Sequence, residues 1–360
     1  MKKRVQIIFT GGTIAGNVAH HENSLNVKSD PDNFLNVIKR ASEIVSKTWH
    51  VDIELSIVEL FNKDSSNIDP TDWTTLVNAI RDSYDDADAF IVLHGTNTMG
   101  YTAAALTFAL ENINKPVVIT GAQVPLGYLG SDAITNQVNA LRIAVWPHHE
   151  IKGVVAVFGS KIISGTRVKK GTDFDYDPFS SFQSGSLGQI GRFIKIDEVA
   201  LQKYESYLSQ HHPLAHTAAD LKINSGFDCD NLVSLTEFPG LNPDFIKKLA
   251  DSGARGFIIR SFGAGDPNKR LFEAFEYLKE KQIPVIVTTQ APGGISNFQV
   301  NESGQYLAVN DLAIPAHDMS MEAMTTKMAW LLAQNLDYET IKAKMVDNLH
   351  GEIHIGAELI

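Results

Sequence analysis

The chain has 360 residues, of which 44% are apolar and 20% are charged, so it holds enough apolar side chains for sizeable buried cores. This composition excludes a disordered, collagenous or coiled-coil protein, and at about 150 residues per domain it predicts two domains. The 31 Lys and Arg against 42 Asp and Glu give a formal net charge of -11, which disfavours a surface for nucleic acid or for an anionic membrane.

Cysteine usage and the amino terminus indicate the compartment. The single Cys229 cannot form an internal disulfide, and without clustered cysteines and histidines a thiolate zinc site is excluded. Behind the charged residues 1–4 the apolar run covers only residues 5–9, which is too short for a signal peptide. No stretch of about 18 apolar residues predicts a membrane-spanning helix. We therefore expect a cytoplasmic protein.

Short apolar runs alternate with amphipathic stretches along the chain. The apolar runs predict strands at residues 5–9, 51–58, 90–93, 117–120, 154–158, 256–259 and 285–288. The amphipathic stretches and their capping residues predict helices at residues 32–47, 69–80, 99–110, 268–281, 320–335 and 338–349. Because strands and helices alternate and the strands are nearly all apolar, the sequence predicts an α/β fold whose mostly parallel sheet is covered by helices on both faces.

The alternating pattern fails between residues 198 and 225. Residues 202–218 are rich in glutamine, serine and histidine and carry no strand signal. This indicates an N-terminal α/β domain at 1–200, a linker at 201–224 and a smaller C-terminal α/β domain at 225–360.

Two glycine-flanked threonines follow predicted strands. Strand 5–9 is followed by TGGTIAG at 10–16, and strand 90–93 is followed by HGTNT at 94–98. Ligands of open α/β sheets bind beyond the carboxyl ends of the strands, and such turns can present a hydroxyl nucleophile beside backbone N–H groups that stabilise an oxyanion. The glycine spacing is not G-x-G-x-x-G and no Gly-Lys-Ser/Thr follows, which disfavours a nucleotide site.

A hydroxyl nucleophile needs a base. His94 is a poor candidate, because it precedes the glycine at the strand end, where a packed histidine is expected. Lys161, Lys169 and Lys170 follow strand 154–158, and a desolvated lysine near hydroxyls can act as a base. From spacing alone, an ordinary solvated lysine is the better expectation for each of the three.

The two threonine motifs in combination closely resemble those of the bacterial-type L-asparaginases, and the resemblance extends over nearly the whole chain. Supporting segments are DSSN at 64–67, TGAQVP at 120–125 and DMSMEA at 318–323. The short amino terminus resembles the cytoplasmic, type I branch. The resemblance implies a two-domain amidohydrolase that forms a threonine acyl-enzyme with the side chain of asparagine, without metal or cofactor. It also implies a homodimer or homotetramer in which a neighbour's C-terminal domain completes the site.

The resemblance assigns roles to single residues. Thr13 is implied as the first nucleophile, Thr96 as the second catalytic threonine and Lys170 as the family's lysine. Lys170 rather than Lys169 is in register when one counts back from Phe179. The implied substrate-binding residues are Gly12, Ser65, Ser66, Gly95, Asn97 and Ala122, with Ser65 at the position that binds the α-carboxylate.

The sequence departs from the family at Asn97, where the motif has an aspartate that contacts the substrate's α-ammonium and belongs to a Thr-Lys-Asp group. Loss of a charge-assisted hydrogen bond costs about 1.5 to 3 kcal/mol, which would lower catalytic efficiency by tens to hundreds of fold. Asn67 also stands where aspartate is usual, and Ser66 occupies a position that often helps to hold the amino group. No tyrosine lies between residues 16 and 32, although the family normally supplies one there.

Three explanations of Asn97 remain open. One is an asparaginase with a modified pocket, or an engineered Asp-to-Asn variant, and this is the explanation we favour. Another is a substrate without a free α-ammonium, such as an N-substituted asparagine, a peptide, or a related amide or lactam. The last is a catalytically impaired homologue that binds or regulates. A glutaminase subunit of a tRNA amidotransferase is disfavoured, because its extra amino-terminal domain has no counterpart before Thr10.

Overall fold

The computed structural model describes residues 2–12, 16–18, 27–29, 31–210 and 212–354. The chain divides into two compact units, Met1–Ser225 and Gly226–Ile360. In the described ranges, no helix combines the length and the apolar character needed to cross a membrane.

The described part of the first unit contains twelve strands and five helices. The strands are β1 (Lys2–Phe9), β2 (Gly16–Val18), β3 (Val27–Ser29), β4 (Asp52–Glu59), β5 (Ala89–Leu93), β6 (Pro116–Thr120), β7 (Gly153–Phe158), β8 (Lys161–Ser164), β9 (Val168–Lys170), β10 (Phe179–Ser181), β11 (Gly188–Ile190) and β12 (Ile194–Ile196). The helices are α1 (Pro31–Trp49), α2 (Pro70–Asp82), α3 (Met99–Ala109), α4 (Ala133–Ala144) and α5 (Glu198–Leu208).

Eight of these strands form one large sheet in the order β12-β11-β8-β7-β6-β5-β1-β4. Strands β4, β1, β5, β6 and β7 pair in parallel, while β8, β11 and β12 add to the sheet in antiparallel fashion. Strands β5, β6 and β7 are buried along their whole length, which explains their continuous apolar sequences. Because β1 and β5 pair in parallel, with Phe9 opposite Leu93, their carboxyl ends lie side by side at one edge of the sheet.

Local sequence explains where the helices around this edge begin. Helix α2 starts with Pro70 in its first turn, and Asp69 and Asp72 form a reciprocal capping box there. Helix α3 follows the 94–98 turn and is buried on nearly every side, in keeping with its apolar sequence.

The second unit has a parallel sheet in the order β13 (Leu232–Thr236), β14 (Gly256–Ser261), β15 (Val285–Thr289) and β16 (Ile314–Pro315). Its helices are α6 (Pro243–Asp251), α7 (Phe272–Glu280), α8 (Glu302–Val309), α9 (Met321–Ala333) and α10 (Tyr338–Val346). Lys327 on α9 and Glu352, in the segment after α10, form a fully buried ion pair at 2.5 Å. Lys327 also donates to the carbonyls of Met345, in the last turn of α10, and of Asp347, which follows it. The pair joins that segment to α9.

The predicted two-domain α/β fold with a mostly parallel sheet is confirmed, but two details differ. The apolar run at 51–58 predicts a strand covered on both faces, yet β4 is the edge strand and alternates between exposed and half-buried residues, as its alternating polar residues require. Residues 201–224, expected as a linker, begin within α5, whose Leu201, Tyr204 and Leu208 pack into the core of the first unit. Residues 201–224 therefore lie within the first compact unit.

Two neighbouring buried amides on α4 lead to opposite stability predictions. Gln137 is 0% exposed, and neither end of its amide has a hydrogen-bond partner among the described residues. Gln137→Leu should raise the free energy of unfolding by about 1 to 3 kcal/mol, because an unpaired buried amide is replaced by a similar apolar volume. Urea denaturation of the purified protein measures the change.

The matched control is Asn136, whose amide donates to the carbonyl of Gly121 and to Asp132 and accepts from the N–H of Gly159. Asn136→Leu should lower the free energy of unfolding, because it leaves those backbone groups unpaired. Destabilisation by both substitutions would show that the Gln137 amide is paired in solution.

Candidate active site

The turns after β1 and β5 are in backbone contact. A Cβ built on Gly12 would lie 2.5 Å from the Cα and N of Gly95, and one on Gly11 would lie 2.3 Å from the carbonyl oxygen of Lys63. Both Gly11 and Gly12 have positive φ, so glycine is required there for conformation as well as for space. Thr10 stabilises this contact, because its hydroxyl donates to the carbonyl of Leu93, the last residue of β5, at 2.8 Å.

A threonine and a lysine meet at this edge. Thr96 is 8% exposed, and Nζ of Lys170, at the end of β9, donates to its Oγ1 at 2.9 Å. Strand β9 pairs with β10, in which Phe179 lies opposite Lys170. Lys161 points elsewhere, since its Nζ donates to the carbonyl of Phe179 and pairs with Asp177. Of the two, Lys170 is the lysine placed to exchange a proton with Thr96.

Asn97 lies between that lysine and a pair of serines. Its Oδ1 accepts from Nζ of Lys170 at 3.1 Å, and its Nδ2 donates to Oγ of Ser66 at 3.1 Å. This orientation of the amide suits the ammonium form of Lys170, which only donates. The backbone N–H of Asn97 donates to Oγ of Ser65 at 3.2 Å, and the hydroxyl of Thr98 donates to the Ser65 carbonyl at 2.7 Å.

Both serine hydroxyls keep a proton to donate. Oγ of Ser65 accepts from Asn97 N–H, and Oγ of Ser66 accepts from the Asn97 side chain. A hydroxyl that accepts a hydrogen bond still has its own O–H group. Ser65 is 2% exposed, and a Cβ on Gly95 would lie 2.6 Å from its Oγ, so Gly95 must be glycine. The site therefore offers O–H donors suited to a carboxylate or a carbonyl oxygen.

Partial burial makes the proton of Lys170 easier to lose than that of a solvated lysine. Half-burial lowers the pKa of the Lys170 ammonium below its ordinary value of 10.5, and the charge of Asp173 opposes this shift. Asn97, its hydrogen-bond partner, carries no charge. A lowered pKa beside a hydroxyl shifts a lysine toward the behaviour of a general base.

The turn after β6 supports the same region. Ala122 is buried in the main core, so only its backbone can face a ligand. The backbone N–H groups of Gln123 and Val124 donate to the carboxylate of Asp132, and the side chain of Gln123 donates to the carbonyls of Asp173 and Asp175. The loop that follows Lys170 is thereby attached to the 121–124 turn.

The structure brings together Gly12, Ser65, Ser66, Gly95, Thr96, Asn97 and Lys170, while Thr13 lies outside the described residues. His94 is fully buried with both ring nitrogens hydrogen-bonded, to Gly95 and to Thr102, as predicted for a packed histidine, and burial lowers its pKa from 6.5 to about 4. The structure also shows that Thr102 forms hydrogen bonds with His94 and with Trp73. No sequence signal indicated them, because Thr102 and Trp73 lie in helices with the pattern of an ordinary core.

Residues 4–202 match the family described as "Asparaginase, N-terminal", and residues 232–345 match the "Glutaminase/Asparaginase C-terminal domain". The chain therefore belongs to the asparaginase family, and the resemblance inferred from the two threonine motifs is confirmed. Within that family it is type I-like: it is 32% identical to L-asparaginase 1 of Escherichia coli strain K12, with 98% of each chain covered.

Two further similarities cover almost the whole chain. The structure of the thermostable L-asparaginase from Thermococcus kodakarensis superposes with a TM-score of 0.81 at 29% identity, covering 98% of this chain and 100% of that one. A glutamyl-tRNA(Gln) amidotransferase subunit of Sulfolobus acidocaldarius is 28% identical, with 97% of this chain and 75% of that protein covered. The amidotransferase protein thus has sequence beyond the part shared with this chain.

Proposed function

We propose that the protein hydrolyses L-asparagine to L-aspartate and ammonia through an acyl-enzyme on Thr13, with Thr96 and Lys170 handling the protons. The observation that carries the proposal is the 2.9 Å hydrogen bond from Lys170 Nζ to Thr96 Oγ1 at the carboxyl edge of the sheet. The relatives named L-asparaginase support the same substrate. The substrate is a small-molecule amide, and the reaction as proposed uses no metal or cofactor.

In the proposed reaction, the hydroxyl oxygen of Thr13 forms a bond to the carbon of the side-chain amide, and the amide nitrogen takes up a proton and leaves as ammonia. Water then attacks the ester, releasing L-aspartate and the free hydroxyl. Each step moves a proton between oxygen and nitrogen atoms, and Thr96 Oγ1 with Lys170 Nζ forms a hydrogen-bonded path for it. The lowered pKa of Lys170 supports the neutral amine that this path requires.

The serine hydroxyls and Asn97 bind the other end of the substrate. Ser65, whose buried hydroxyl accepts from Asn97 and keeps its own proton, suits the α-carboxylate, because an O–H donor to a carboxylate makes a charge-assisted hydrogen bond. Gly12, Gly95 and the Ala122 backbone form the surface on which the amide lies. Ser66 and Asn97 border the α-substituent, where the site supplies neutral hydrogen-bonding groups.

One observation favours a second candidate substrate. Asn97 directs its carbonyl oxygen to Lys170 and its N–H to Ser66. Neither the Asn97 amide nor the Ser66 hydroxyl carries a negative charge that could bind an α-ammonium. A substrate with an acyl group on the α-nitrogen would present a carbonyl oxygen that the Asn97 N–H and the Ser66 hydroxyl can satisfy. The alternative proposal is therefore an amidohydrolase of N-substituted asparagine or a related amide or lactam.

Ammonia release distinguishes the two substrates. The purified protein is assayed with L-asparagine, L-glutamine and N-acetyl-L-asparagine, with Thr13→Ala as the inactive reference. The main proposal predicts the highest kcat/KM with L-asparagine, and the alternative predicts it with the N-acetylated amide. Ammonia release from none of these at a rate above the Thr13→Ala background would contradict both and favour a binding or regulatory homologue.

We also propose a homodimer or homotetramer located in the cytoplasm. Leu129 and Phe174 are almost entirely exposed in the single chain, and burying them against another chain would remove apolar surface from water. No nucleic-acid or membrane partner is proposed, given the formal charge of -11. Multi-angle light scattering should give two or four chains per particle.

A further inference from the structure

His94 belongs to a chain of hydrogen bonds that ends at the peptide bond before Thr96. Its ring is 0% exposed, and its Nδ1 lies 2.7 Å from the carbonyl oxygen of Gly95. Its Nε2 lies 2.8 Å from Oγ1 of Thr102, in the first turns of α3. That oxygen also accepts a hydrogen bond from Nε1 of Trp73, on α2, at 3.1 Å.

The chemistry of these groups fixes the direction of every bond. A carbonyl oxygen only accepts, so the proton must be on Nδ1 of His94. Burial lowers the pKa of the ring to about 4 against the opposing effects of the hydrogen bond to Gly95 and of Asp72, so the ring is neutral and Nε2 accepts the hydrogen bond from the Thr102 hydroxyl. Trp73 can only donate. The hydrogen bonds therefore run in one direction, from Trp73 through Thr102 and His94 to the carbonyl of Gly95.

Gly95 needs this restraint. Glycine is required there because a Cβ would lie 2.6 Å from the Ser65 hydroxyl, and glycine is the residue whose backbone is least restrained. The next residue is Thr96, whose hydroxyl must stay at 2.9 Å from Lys170 Nζ. A hydrogen bond from a buried ring to the Gly95 carbonyl fixes the plane of the peptide that leads into Thr96.

We propose that His94 is a positioning residue: its Nδ1–H holds the peptide between Gly95 and Thr96 so that the Thr96 hydroxyl remains on Lys170. This role rests on the proposed function of the threonine–lysine pair. Small errors in the placement of reacting groups are costly, since a displacement of about 1 Å can lower a rate by about 10²-fold.

Two substitutions separate positioning from general support of the fold. The amide nitrogen of asparagine can replace Nδ1 of histidine, whereas the amide of glutamine reaches the position of Nε2. His94→Asn therefore keeps a donor for the Gly95 carbonyl, and His94→Gln keeps a partner for Thr102. We expect kcat of the Asn variant to exceed that of the Gln variant by about tenfold or more, with similar KM values. Equal kcat values, or a more active Gln variant, would overturn the proposal.

A second pair of variants and a spectroscopic measurement apply even if the His94 variants do not fold. Thr102→Ser keeps the hydroxyl that binds Nε2 and Thr102→Val removes it, so kcat should be about tenfold higher in Ser than in Val; equal values would overturn the proposal. In ¹⁵N NMR of the unaltered protein, the His94 ring should be the neutral Nδ1–H form at pH 7, and an Nε2–H form would refute it whatever the activity. An unaltered protein inactive on every amide would instead refute the proposed function.

Discussion

Lys170→Met should lower kcat for ammonia release by about 10²- to 10⁴-fold, the usual contribution of a general base. Methionine keeps the length and apolar stem of lysine but removes the amine that is 2.9 Å from Thr96 Oγ1 and 3.1 Å from Asn97 Oδ1. Because burial disfavours the charged amine, the substitution should not lower the melting temperature. Steady-state kinetics with a thermal melt of the same samples measure both effects.

Lys169 provides the matched control, because it is the adjacent residue on β9 and its side chain leaves the strand on the opposite face. Lys169→Met removes the same charge from the same strand and should change kcat by less than about threefold if proton transfer depends on geometry. A comparable loss of kcat in both variants would mean that overall charge, rather than the contact with Thr96, is what matters.

Asn97→Asp should raise kcat/KM for L-asparagine by tens to hundreds of fold at a pH at which the substrate's α-ammonium keeps its charge. The new carboxylate would give the substrate's α-ammonium a charge-assisted hydrogen bond worth about 1.5 to 3 kcal/mol. Asn67→Asp adds the same charge at an exposed position on the adjacent 3₁₀ helix, Ser65–Asn67, and is expected to give a smaller gain. If Asn97→Asp gave no gain with L-asparagine but weakened turnover of N-acetyl-L-asparagine, the second candidate substrate would be favoured.

Asn97→Asp should also move the acidic limb of the pH–rate profile to higher pH. Lys170 acts as a base only when neutral, so activity rises as pH passes through its pKa. In the unaltered protein burial lowers that pKa, whereas a carboxylate at position 97 would stabilise the ammonium and raise it. Asn97→Asp should therefore lose activity at a higher pH on acidification than the unaltered protein does. An unchanged limb would show that Lys170 is not the titrating group.

The sequence predicted the elements whose apolar pattern is strongest. Strands β5, β6 and β7 are buried on both faces, so their apolar runs stand out, and α2 carries its own capping signals. Helix α4 was missed because Asn136, Gln137 and Asn139 occupy its buried side and interrupt the apolar period. Strands β8, β11 and β12 have three or four residues each, too few for a pattern to show.

The candidate site was only partly accessible from the sequence. The motif residues 94–98 could be located because glycines and threonines follow a strong strand signal. The contact between Lys170 and Thr96 could not be predicted from the sequence, since the two residues are 74 positions apart and the contact depends on the short β9–β10 pairing. Family resemblance supplied Lys170, and spacing did not. The hydrogen bonds that link His94, Thr102 and Trp73 could not be predicted either, because α3 is apolar on almost every side and Thr102 resembles an ordinary core residue.

The most direct test of a threonine-based amidohydrolase is kcat/KM for ammonia release from L-asparagine, measured side by side for the unaltered protein, Thr13→Ala and Thr96→Val. Loss of a nucleophile or of its proton path should reduce kcat/KM by about 10²-fold or more in each variant while the fold, followed by circular dichroism, is kept. Turnover that persists at the unaltered rate in both folded variants would contradict the mechanism.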